Sequence, residues 1–238
     1  MMYISLSVLL GGARRLDAVY TKINGMDWHI VAQKNDTEKV GDILSSYEEV
    51  ERVEMSEALY VPVVKYRING GEEKEFSFLL RDANEKCEVT KLNTEFEGTL
   101  TDEQILLPYY MHMSDGCEIG DEIVLDVSGK EYTYEVAGFS EDPFYASPMM
   151  ISLYQAFASK DSCEKMITPE TMEACMWKVC LKEGADVSAF NKKALSDINR
   201  KVPAVAQSFF TWSFDWASAQ VGTMMMANIS MGILLVFA

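Results

Sequence analysis

Three adjacent carboxylate pairs, Asp102-Glu103, Asp121-Glu122 and Glu141-Asp142, are the groups best suited by type to proton transfer. General acid–base catalysis needs such a group held against a substrate with a tuned pKa. Each pair falls where a turn or loop is expected, so solvated loop charge is the better reading. No phosphate-cradling G-x-x-x-x-G-K-[ST] occurs: Gly129-Lys130 is followed by Glu131 and lacks the earlier glycine. Neither G-x-S-x-G nor H-E-x-x-H is present. His29 sits in a strand-like apolar stretch and reads as a structural imidazole. His112 lies between Met111 and Met113 in an expected loop. A thioether–imidazole copper set is a known chemistry, but these three residues alone make a weak one.

Cys87, Cys117, Cys163, Cys175 and Cys180 are odd in number and irregularly spaced, which is no disulfide framework. There is no C-x-x-C, so a structural zinc centre is not expected; Cys175 with Cys180 would be the first ligands to examine. Cys180 reads as a small hydrophobe in a strand. An oxidising compartment leaves room for one bridge, Cys163 to Cys175. The expectation is therefore no catalytic, cofactor-binding or metal-ligating residues, no cofactor, and a protein that is not an enzyme.

With 238 residues, the chain can bury a substantial core in one large domain or two small ones. A hydrophobic content of 48% excludes a disordered protein. The formal charge of -16 excludes nucleic acid as a partner, because phosphates must be met by Lys and Arg. Repulsion from acidic surfaces is the plain consequence, and capture of a cationic peptide is the sharper alternative.

The ends differ from the middle. Met1 to Ala13 is largely apolar and uncharged, and no charged residue occurs from Val221 to Ala238. A bilayer span needs about 20 residues, and the second stretch stops as though a membrane helix were cut partway. No basic residue precedes the first apolar run, which argues against a signal peptide. Apolar ends around an acidic middle are the expected look of a domain inserted between two membrane helices. Arg14-Arg15 run against this, since basic residues flanking a span mark the cytoplasmic side, but the ends outweigh them. Trp and Phe in Phe209-Phe210-Thr211-Trp212-Phe214-Trp216 suit an interfacial belt or core packing.

Within the middle, Trp28 to Ala32 reads as a strand. Asp36 is placed to cap a helix with Val40, Ile43, Leu44 and Tyr47 on one face. Glu48, Glu49, Glu51 and Glu54 fall near the end of that helix as a solvated acidic run. Residues 58–68 read as a strand, with Pro62 suggesting an edge. Asn69-Gly70-Gly71 turns it into Phe76 to Leu80. Residues 81–104 are loop-rich, residues 140–148 form a linker, Met149 to Ile151 a brief strand, and 153–166 a short helix and loop. Trp177, Val179 and Leu181 alternate with Lys178, Cys180 and Lys182 as a strand. Asp186 caps a helix carrying Val187, Phe190, Ala194, Leu195 and Ile198, and an apolar segment follows at Val202 to Ala206. Strand, capped helix and apolar segment thus occur twice, which predicts a split βαβ layer with helices on one side.

Between them lies the clearest hairpin. Ile123, Leu125 and Val127 alternate with polar neighbours, Ser128-Gly129 turns, and Tyr132, Tyr134 and Val136 alternate again. Ahead of it, Pro108 to Met111 reads as an approach segment and Gly120-Asp121 as a tight turn. This order resembles the extracytoplasmic domain of FtsX-like permeases, the MacB/FtsX class of ABC transporter subunits. There a segment leads into "GD", a hydrophobic strand, a turn and a strand ending in V-x-G, matched here by Gly120, Asp121, Ile123, Leu125, Val136 and Gly138.

The resemblance implies an α+β fold: a mixed α/β lobe from both ends of the insertion with a β-rich lobe inserted, flanked by partial membrane helices. The corresponding segments are 1–25, the end of a first membrane helix and a stalk; 26–71 and 145–208, the halves of the α/β lobe; 72–144, the β-rich lobe; and 209–238, a stalk and the start of a second membrane helix. It further implies a cell-membrane location with the soluble domain outside the cytoplasm. The implied partners are a cytoplasmic ABC ATPase, a second permease subunit, and an extracellular peptide or cell-wall protein. Two other classes stay open: a membrane-anchored binding or sensing module, and a secreted hydrolase of unfamiliar type.

Overall fold

The computed structural model describes residues 26–34, 37–141, 153–202 and 212–215. Two helices cover one face of a four-strand layer. Its strands are β1 (Trp28–Gln33), the first half of β2 (Val50–Ile68), β8 (Met172–Leu181) and β9 (Trp212–Asp215), in the spatial order β2-β8-β1-β9. β8 is antiparallel to both β1 and β2, and β1 is antiparallel to β9. β1 and β2 are thus parallel with β8 between them, and α1 (Thr37–Ser45) connects them. β8 and β9 are parallel with β1 between them, and α4 (Val187–Lys201) lies on their connection. Two interleaved split βαβ units give the ferredoxin-like arrangement, which is the mixed α/β layer the repeated pattern predicts.

Period-two alternation decides what the helices cover. Trp28, Ile30 and Ala32 on β1 and Cys175, Trp177 and Val179 on β8 pack under Val40 and Leu44 of α1 and Phe190, Ala194 and Ile198 of α4. The Asp186 carboxylate accepts the Ala189 N–H at 3.0 Å, satisfying one of the free donors at the start of α4. Two polar ties fix the helix layer: Trp28 Nε1 donates to Asn191 Oδ1 at 2.7 Å, and Tyr47 donates to Asp197 at 2.8 Å.

The second half of β2 leaves this layer and enters a barrel. β3 (Lys74–Asp82), β7 (Leu153–Ala158), β4 (Gln104–Pro108), β6 (Lys130–Ser140) and β5 (Glu122–Val127) follow one another by pairing. β2 pairs with both β3 and β5, which closes the ring and removes its edges. Its interior holds Leu59, Phe78, Leu80, Ile105, Leu107, Ile123, Leu125, Tyr134 and Val136. The β5–β6 hairpin turns on Ser128 and Gly129, both at positive φ, the two-residue turn whose twist matches the strands. Gly120 also needs positive φ, at 89°. Gly138 serves close approach instead: a Cβ there would meet Leu106 at 3.3 Å and Phe96 at 3.4 Å.

Several segments differ from the sequence reading. Glu51 and Glu54 lie on β2, because α1 stops at Ser45 and the chain is extended from Val50, paired with β8 through a register shift between Val50 and Arg52. β2 is no edge strand; Pro62 is tolerated because the ladder shifts register between Val61 and Val64, where the missing N–H breaks no regular pair. Tyr109–Asp115 is a helix, α2, following extended Pro108 and closed by left-handed Gly116. Residues 153–158 are strand β7 and belong to the barrel, before α3 (Lys160–Lys165). Trp212–Asp215, within the stretch read as a stalk, form a strand on β1. Asp36, the strand expected at 149–151, residues 203–206 and both apolar ends lie outside the described residues. Among the described residues no helix is long and apolar enough to cross a membrane.

Candidate functional site

The sheet face away from the helices carries a row of polar side chains. His29 on β1 pairs in register with Lys178 on β8, which pairs with Glu54 on β2. This face is buried as well. Part of segment 83–93 lies over it: Cys87 reaches Ser56 at 3.5 Å, and the Glu88 and Val89 N–H groups donate to the Glu54 carboxylate.

Lys178 is fully buried. Its ammonium donates to Ser56 Oγ at 2.9 Å, Glu54 Oε1 at 3.1 Å and Cys87 Sγ at 3.3 Å. Burial and the nearby Arg81 charge push the Lys178 ammonium below its usual range. Burial works against the Glu54 carboxylate, yet the N–H groups of Val89 and Glu88 and the Lys178 ammonium hold it below its usual range. The pair is therefore a buried ion pair with its donors and acceptors met, the condition under which burial of charge is tolerated. His29 is buried, and desolvation together with Lys178 pushes its pKa down to about 3, so the imidazole is neutral at pH 7.

Beside this row lies a cavity of about 290 Å³, walled by β3, β7, β8 and the covering segment. Arg81 on β3 is 7% exposed and enters it with Phe157, Gln155, Asn93 and Met176. The Arg81 guanidinium stands 5.6 Å from the Phe157 ring centroid. Sequence reasoning did not single out Arg81, Cys87 or the Glu54–Lys178 pair. One signal was available: in A-C-M-W-K-V-C-L, Lys178 is the only charge in a run apolar on both faces, the mark of a strand buried on both sides.

The residues weighed for chemistry are dispersed. Asp102 accepts from Ser159 at 2.6 Å and Lys165 at 2.9 Å, tying β4 to α3. Asp121 accepts from Asn69 at 2.8 Å and from the Glu118 N–H at 2.8 Å, so the Gly-Asp turn anchors the end of β2. Glu141 meets Asn93 at 3.4 Å, and Asp142 lies outside the described residues. His112 lies on α2 with Nδ1 2.8 Å from the Cys117 carbonyl oxygen; Met111 is buried and Met113 is 70% exposed, so the three do not converge. Cys175 lies under the helices and Cys180, five positions on, faces the other side. All five cysteines are free thiols, Cys163 and Cys175 included, which overturns the bridge left open for them. Among the described residues no group of three His, Cys, Asp or Glu could hold a metal ion.

No protein-family model matches the sequence, and no curated protein matches it. Solved structures do. The chain resembles the MacB periplasmic region. The periplasmic region of MacB from Actinobacillus actinomycetemcomitans is 9% identical, with 84% of this chain and 94% of that chain covered and a TM-score of 0.43. A domain of a protein described as a permease from Porphyromonas gingivalis is 11% identical over 79% of this chain and 90% of that one, with a TM-score of 0.40. A protein described as a lipoprotein from Bacillus anthracis is 16% identical over 72% and 91%, with a TM-score of 0.34.

Proposed function

We propose that this chain is the extracytoplasmic domain of a MacB/FtsX-like ABC permease, which carries ATP-driven movement from a cytoplasmic ATPase to an exported substrate or an extracellular partner. The observation that carries this reading is the pairing of Trp28 with Asp215. The first residue of β1 and the last of β9 are thus register neighbours, so the two described strands that adjoin the apolar segments of the sequence lie side by side. A domain inserted between two membrane helices needs that geometry. Both entry and exit strands belong to the ferredoxin-like layer, and β2 alone runs on from that layer into the barrel. A shift of either flank then moves a packed layer as a unit, because cores at crystal-like density do not deform continuously. In this reading the chain works as a dimer of permease subunits, with the ferredoxin-like layer as the moving lobe and the barrel, β7 and the second half of β2 included, as the presented one.

Placement outside the cytoplasm is testable in intact cells. A Glu183→Cys variant puts a thiol on the exposed loop after β8. It is expected to react with a membrane-impermeant maleimide without lysis, above the background of the unsubstituted protein. Reaction only after lysis would put the domain on the wrong side for this function.

A further inference from the structure

The cavity beside Arg81 has the features of a ligand site, independently of any transport role. Its charged groups are not equivalent. The Lys178 ammonium is committed to Glu54, Ser56 and Cys87. His29 is neutral at pH 7. Lys86 and Lys91 also border the cavity but are exposed, which leaves Arg81 as the buried cation with donors to offer. Its Nη2 makes an ion pair with Glu85 at 3.3 Å and a contact to Cys87 at 3.5 Å, both at the long end of hydrogen-bonding distance. Its Nε is buried and has no hydrogen-bond partner among the described residues. A buried donor left without an acceptor costs free energy, the more so on a charged group. A guanidinium presents a planar fork whose natural complement is a carboxylate, and the Phe157 ring alongside holds it in place. Phe157 and Met176 supply apolar wall around that fork.

We propose that this cavity binds a small monocarboxylate with an apolar body, its carboxylate on Arg81 and its body against Phe157 and Met176. A volume of about 290 Å³ stands at the lower end of small-molecule pockets and holds a group the size of one amino-acid residue. Glu85 and Glu141 at the same cavity disfavour polyanions such as phosphate esters. The carboxylate could belong to a free acid or to the C-terminus of a peptide, which present the same chemistry to Arg81.

The test uses the full chain in detergent and three probes: N-acetyl-phenylalanine, its C-terminal amide, and a hexapeptide ending in phenylalanine with a free C-terminus. A charge-assisted hydrogen bond is worth about 1.5–3 kcal/mol, so calorimetry is expected to show the acid binding about tenfold or more tightly than the amide. Cys87 lines the cavity, so saturating acid is also expected to slow its alkylation, followed by peptide mass mapping. Arg81→Gln is expected to erase the difference between acid and amide. Should that variant fail to fold, the acid–amide pair and the Cys87 rate in the native protein still decide. Binding of the hexapeptide as well as the acid identifies peptide termini as the source; binding of the acid alone identifies free acids, and either upholds the site. Equal binding of acid and amide, or no binding by any probe with Cys87 unprotected, overturns it.

Discussion

Glu54→Leu, with Lys178 retained, is expected to lower folding stability by about 3–5 kcal/mol, because it strands a buried ammonium. Lys178 has no water to turn to: it is 0% exposed, and its other contacts are a hydroxyl and a thiol. The same substitution also strips an acceptor from the Glu88 and Val89 N–H groups, 2.6 Å and 3.0 Å from the Glu54 carboxylate, and so loosens the segment over the cavity. Adding Lys178→Met is expected to recover most of the loss, since replacing a buried pair with apolar side chains is often close to neutral. Urea unfolding of the native protein, both single variants and the double variant checks the cycle. A Glu54→Leu cost under about 1 kcal/mol, or no recovery in the double variant, would show the pair to be incidental.

Acid should destabilise the domain well before its carboxylates titrate. The His29 pKa is about 3 in the fold against its usual 6.5, so between those values the unfolded chain takes a proton that the native one refuses. The His29 contribution is complete above pH 6.5 and is lost as pH falls toward 3, at up to about 1.4 kcal/mol per pH unit. Asp102, Asp115, Asp121 and Glu54 also have lowered pKa values, but from usual values of 3.8 and 4.5, so the window from pH 6.5 to about 4.5 belongs to His29. Over that window roughly 2–3 kcal/mol should disappear. His29→Gln cannot charge, and its stability should be nearly flat across the same range. Equal slopes for the two proteins would mean that the imidazole is solvated in the fold.

Local signals in the sequence carried far, and their limits are physical. The β5–β6 hairpin, the Asp186-capped helix and the split βαβ layer rest on alternation, capping and 3.6-residue periodicity, which act over short spans. β2 is longer than its apolar part because its first half is polar on the exposed positions, and acidic residues there look like the end of a helix. The barrel could not be read, since its closure joins β3 to β7 across more than seventy residues with no local signal for parallel pairing. Pro108 and Gly116 around Tyr109–Asp115 were a readable start and stop, though a helix that short carries little periodicity. The polar row was hidden for a different reason. His29, Glu54, Cys87 and Lys178 come from three strands and a covering segment, and each alone looks like an ordinary surface or core residue. Only the register places them together, and the segment around Cys87 to Val89 covers them.

The central claim is that movement of the flanking segments is coupled to ATP turnover elsewhere in a permease complex. A cysteine pair placed across segment 14–25 of one subunit and segment 209–221 of its neighbour, in the full-length protein assembled with the ATPase that the proposed function implies, tests it directly. Oxidation of that pair is predicted to suppress both ATP turnover and transport, and reduction to restore them. Crosslinking that leaves both unchanged would contradict the account, because a domain whose anchors can be tied together without consequence transmits nothing.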